Sequence, residues 1–161
     1  MARMIDNNSI TVNLVTTDKN VTSTGNLFTG GAFMGNTVTS KTNGNVTVSA
    51  YQEVNPNVLG STDAHTKTPG KMMMHEVTEA YEGAKISQKT GISSPNSATK
   101  GSVYEEAHNR ATPQSAVFET IYDNKGNVLQ MLPGGIYPPN TVRAEWYVTK
   151  NGKSKIIQTY P

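Results

Sequence analysis

The sequence predicts an α+β fold, with antiparallel β hairpins flanking a core of two helices. Three observations carry that prediction. Thr/Val-rich alternating runs lie at both ends of the chain. Asn-Gly pairs sit between such runs, and Asn-Gly is the strongest short-range hairpin signal a sequence offers. Two segments in the middle carry helix-start signals and helical periodicity.

In chain order, residues 9–17 (SITVNLVTT) alternate well enough to form a strand, and residues 24–37 (TGNLFTGGAFMGNT) are glycine-rich and expected to be irregular. Asn36–Lys41 and Asn45–Tyr51 are expected to form a hairpin about Asn43-Gly44. Residues 52–68 (QEVNPNVLGSTDAHTKT) are polar and predicted to be a loop. Thr68-Pro69 opens a helix, Thr as N-cap and Pro at the first helical position, running through KMMMHEVTEAYEGAKIS. Its predicted core stripe is Met73, Val77, Ala80, Tyr81 and Ala84, and Gly83 permits close approach of another element. Met72-Met73-Met74 is assigned to core packing, because consecutive helical residues cannot converge on one ion. Residues 87–101 are expected to be an exposed loop. Ser102 and Glu105 then fit a capping box for a second helix ending near Thr112-Pro113. The remainder is predicted as strands around 123–127 and a hairpin about Asn151-Gly152.

The length of 161 residues suits one domain. It divides into a β-rich part (1–67), a helical part (68–112) and C-terminal hairpins (113–161), with Pro113 the place where a split would fall. Cysteine is absent, which excludes disulfides, thiolate metal sites and a cysteine nucleophile. Net charge is +2 with no Lys/Arg run, which argues against nucleic acid as a partner. No apolar stretch reaches the roughly 18–20 residues needed to cross a bilayer, and no signal peptide is expected. The Asn/Thr/Gly/Ser bias suits a secreted, cell-surface or virion-associated protein.

One segment suggests chemistry. Residues 75–79 read His-Glu-Val-Thr-Glu. Positions i and i+4 share a helix face, so His75 and Glu79 can address one metal ion, with Glu76 about 100° around the helix. His108, on the second helix, supplies a third ligand if the two helices fold back on each other. Two His and one carboxylate leave a fourth position on a tetrahedral zinc ion open for water. Glu76 would then be the general base for that water, and Glu105 a partner for the His108 imidazole. Tyr81, Tyr104 and His65 are equal candidates to polarise a substrate carbonyl. The plainer account of His75, Glu76 and Glu79 is a solvated polar helix face; His65 is expected to be solvated.

This arrangement resembles the zincin metallopeptidases, most closely the gluzincin-like branch, over roughly residues 45–111. In that superfamily an HExxH helix is followed by a helix bearing the third ligand; here the second His is replaced by Glu79. The resemblance implies a zinc-dependent peptidase acting on a peptide or protein substrate through a metal-bound water, with an extended substrate lying along an edge strand, expected at Asn45–Tyr51. The alternative is a non-catalytic structural or interaction protein, a virion or cell-surface component with a degenerate or structural metal site.

Overall fold

A computed structural model describes residues 7–40, 44–132 and 137–161. Among them the order is β1 (Ile10–Thr16), β2 (Gly31–Ser40), β3 (Val46–Val54), α1 (Pro56–Thr66), α2 (Lys71–Thr90), α3 (Tyr104–Arg110), β4 (Val117–Tyr122), β5 (Val128–Leu129), β6 (Arg143–Lys150) and β7 (Lys153–Tyr160). The class is α+β, as the alternating runs and capped segments predict. One sheet has the order β1-β3-β2 and the other β5-β4-β6-β7.

The hairpin β2–β3 forms as expected, although Asn43 lies outside the described residues. β1 pairs with β3 in parallel, a long-range pairing that no turn signal encodes. The glycine-rich stretch is not wholly irregular: from Gly31 onward it is strand, with a register shift between Phe33 and Asn36. Gly35 in the shift has φ +91°, and a Cβ there would come within 2.5 Å of the Ser94 carbonyl oxygen. That contact explains a second departure. The loop at 93–97 is not simply exposed but covers part of the free edge of β2, through Asn36 N–H to Ser94 O (2.9 Å) and Ser97 N–H to Phe33 O (2.9 Å).

The segment 52–68 is the largest correction. It contains the end of β3 and the whole of α1. Asn55 Oδ1 accepts from the N–H groups of Asn57 and Val58, and Pro56 occupies the first turn. Val58 and Leu59 are buried, and Leu59 packs with Val54 and Met72. The Thr68-Pro69 signal, in contrast, lies in the turn before α2, whose N-cap is Gly70. The first turn of α2 takes a remote cap instead: the Met72 N–H donates to Asp63 Oδ1 on α1 (3.2 Å). Ser102 and Glu105 do not form the capping box. Ser102 Oγ accepts from the Tyr104 N–H, and Val103 is the N-cap of α3.

α2 lies across the first sheet, where Ala80 and Ala84 pack with Ile10, Val48 and Ala50, and Tyr81 lies at the margin of this cluster. The fully buried arc is offset from the predicted stripe. It comprises Met72, His75, Glu76, Glu79, Ala80, Gly83, Ala84 and Ser87, whereas Met73, Val77 and Tyr81 are only half-buried. Gly83 does admit a close neighbour: a Cβ there would sit 2.8 Å from the Phe33 ring and 3.5 Å from Ala107 of α3. The second sheet packs through Ile121, Ala144 and Trp146, and Val117 touches both this cluster and that of Val54, Leu59 and Met72. The predicted C-terminal hairpin is present, with Asn151 (φ 51°) and Gly152 (φ 73°) in the left-handed conformations of a type I′ turn. No helix among the described residues is long and apolar enough to cross a membrane.

Candidate metal centre

The helical repeat brings His75 and Glu79 to one side of α2, with His75 Nε2 3.5 Å from Glu79 Oε2. α3 packs against that side and lays His108 Nδ1 2.7 Å from the same Glu79 oxygen and 3.2 Å from His75 Nε2. Ligands about 2 Å from a tetrahedral ion stand about 3.3 Å from one another; the 3.5 and 3.2 Å separations match that, and the 2.7 Å His108–Glu79 contact is a hydrogen bond that would open slightly to admit an ion. The three residues form a cluster able to hold a metal ion, their ligand atoms all within 4.8 Å of one another.

The surroundings fix the donors. His75 Nδ1–H donates to the Thr112 carbonyl at 2.6 Å, which leaves the Nε2 lone pair facing Glu79 and His108. Thr112 is itself tied to α2, since its N–H donates to Thr78 Oγ1 at 2.9 Å. Glu79 Oε2 and His75 Nε2 both face His108 Nδ1, so one proton or one metal ion can sit among the three. In the metal-free chain the proton partly serves. Burial opposes charge on His75, but hydrogen bonds to Glu79 and Thr112 and the charges of Glu76 and Glu79 outweigh it, and the imidazole is held above its ordinary value. For Glu79, burial works upward, yet the hydrogen bonds from His108, His75 and Gln52 prevail and keep its carboxyl low.

Glu76 lies beside the cluster, only 5% exposed. Burial first, and the neighbouring charge of Glu79 second, push its carboxyl up to about 7. Two residues that fix it escaped the sequence-based reading. Gln52, fully buried on the central strand β3, donates its Nε2 to Glu76 Oε2 (2.6 Å) and to Glu79 Oε1 (3.0 Å). Gly31 of β2 lies directly over Glu76: a Cβ at that position would be 1.9 Å from the carboxyl carbon. The weak signal for Gly31 was the Gly30-Gly31 pair at the head of a strand; Gln52 carried none.

The remaining expectations divide. Tyr104 shares the cavity with Glu76, Glu79 and His108, its ring centroid 5.4 Å from that of His108. Burial and the nearby Glu79 and Glu76 charges push its hydroxyl up to about 12. Tyr81 is engaged instead with Asn7 near β1, and His65 contacts the Lys153 carbonyl on β7. His108 meets Glu79, His75 and Gln114 rather than Glu105. The expected edge strand is also displaced. β3 is central, and the edge bordering the cavity is β2, through Gly31, Ala32 and Met34. The cavity has a volume of about 490 Å³; its far walls come from the 22–29 segment and from Val117, Glu119 and Trp146 of the second sheet.

No protein-family model matches the chain, and no curated protein and no solved structure is significantly similar to it. The site therefore rests on its own geometry.

Proposed function

We propose that the chain is a zinc-dependent, zincin-like peptidase domain, with His75, Glu79 and His108 as metal ligands and Glu76 as general base. The observation that carries this reading is the convergence of two imidazoles and one carboxylate, with His108 and Glu79 at the wall of an open cavity and a second carboxylate, Glu76, of raised proton affinity beside them. Two His and one Glu fit zinc, and the donor set lacks the oxygen-rich character that calcium or magnesium demands. Bound zinc supplies Lewis acidity, which acidifies water and polarises a carbonyl group. The chain supplies the rest. Thr112 orients His75 through its Nδ1–H, and Gln52 sets the Glu76 and Glu79 carboxylates relative to each other. Glu76, buried beside the ligands and held by Gln52, is placed to take and return a proton. Tyr104 stays protonated and has a hydroxyl to donate to a substrate oxygen.

Elemental analysis of purified protein is expected to find one zinc per chain. Glu76→Gln should keep that zinc and lower hydrolysis of an unfolded protein such as casein by about 10²–10⁴-fold, the usual contribution of a general base. Full activity in that variant rules out Glu76 as the base. A second reading, a non-catalytic virion or cell-surface protein with a structural metal clip, draws on how tightly Glu76 is held between Gln52 and the Gly31 backbone. It predicts stoichiometric zinc with no hydrolysis by the unaltered chain.

A further inference from the structure

We infer that the cavity beside the metal cluster selects peptides carrying a Lys or Arg side chain next to the bond to be cut, and that Glu119 is the residue that reads it. Cleavage at that bond rests on the peptidase reading, whereas the binding step stands on separate observations. The acidic and basic side chains lining the cavity among the described residues are Glu76, Glu79, Glu119 and His108; no Lys or Arg lines it, although the chain carries a net +2. Glu76 and Glu79 are already tied to Gln52 and the imidazoles. Glu119 is differently placed. It stands on β4 two residues beyond Val117, roughly 7 Å along the strand, and Val117 packs on the cluster of Val54, Leu59 and Met72 and lines the cavity with Met72 of the metal-bearing helix.

The Glu119 carboxylate is held from one side only. The Tyr137 hydroxyl donates to Oε1 at 2.5 Å, and Oε2 has no protein donor among the described residues. Burial raises its proton affinity, and no ion pair to it is present among the described residues. Val117 and Trp146, the latter the cross-strand partner of Glu119, line the same wall and offer apolar surface for the methylenes of a long basic side chain. A guanidinium or ammonium head would then reach the free oxygen of Glu119.

Trp146 is the only tryptophan of the chain and lies in this wall, so its fluorescence reports binding without turnover. The test uses zinc-loaded Glu76→Gln protein and two otherwise identical alanine-rich peptides, one with Arg and one with citrulline, its neutral isostere. The Arg peptide is expected to bind about tenfold more tightly, the scale of one partly desolvated ion pair. Adding Glu119→Gln should erase the difference and leave citrulline binding unchanged; Glu119→Asp, which keeps the charge, should restore part of it in a protein of the same fold by circular dichroism. Equal binding of the two peptides, no binding of either, or an Arg preference that survives Glu119→Gln each overturns the assignment. If the Arg preference behaves as expected but the unaltered chain cleaves neither peptide, the peptidase reading fails while the basic-peptide site stands.

Discussion

Gly31 and Gln52 determine how the two glutamates of α2 are presented, and each makes a separable prediction. A methyl group at position 31 would overlap the Glu76 carboxyl, while the backbone at that position is not in the left-handed region that only glycine favours. Gly31→Ala therefore acts through displacement of Glu76. It is expected to cost about 1–3 kcal/mol of stability, as overpacking does, and to abolish hydrolysis while the zinc content stays at one. Denaturant titration, elemental analysis and casein hydrolysis read the three quantities. Gln52 is the neutral donor between two carboxylates. Gln52→Leu leaves Glu79 without the bond that aims it, so zinc affinity measured by competition with a chelator should fall about 10–100-fold, the usual effect of removing a residue that orients a ligand. Unchanged affinity would mean that the imidazoles alone position Glu79.

At the scale of elements, two Xaa-Pro pairs 13 positions apart show what a local signal can and cannot specify. Asn55-Pro56 and Thr68-Pro69 offer the same combination, a capping side chain followed by Pro at a first-turn position. Only the first starts a helix, because Val58 and Leu59 have Val54 and Met72 to pack against and the second site is pre-empted by the turn that lets Asp63 cap α2. Asn55→Ala should accordingly cost about 1–2 kcal/mol in chemical denaturation, and Thr68→Ala much less. Equal losses would show that both act as caps. The strands were legible because Thr/Val alternation and Asn-Gly turns are local properties. The pairing of His75, Glu79 and His108 was legible because i, i+4 spacing and two successive helices constrain it strongly. The inward face of α2 was not: the expected stripe followed the apolar residues, whereas carboxylates at 76 and 79 are buried because Gln52, His75 and His108 bind them from three different elements. Such compensation depends on the assembled fold and leaves no periodic trace. The same holds for α1, whose polar sequence is helical through its cap and a few buried contacts.

For the whole molecule, the cluster couples folding to pH, and metal binding should reverse the sign of that coupling. In the metal-free protein Glu76 titrates near 7 instead of its ordinary value of 4.5. Between those values the folded chain holds a proton that the unfolded chain has released, so stability falls as pH rises through this window. His75, also raised, adds a loss of the same sign above its ordinary 6.5. Glu79, lowered, works oppositely: its contribution is present above 4.5 and is lost as pH drops below it. The chelator-treated protein should therefore be most stable near pH 5 and lose Tm steadily towards pH 8. Zinc held by His75, Glu79 and His108 would need their deprotonated forms and the folded chain, so it should stabilise more as protons cease to compete. Thermal melts with one equivalent of zinc and with excess chelator should converge near pH 5 and diverge by pH 8. Curves that run parallel across this range would mean that the ion does not sit among His75, Glu79 and His108, because an ion elsewhere would leave their proton competition untouched.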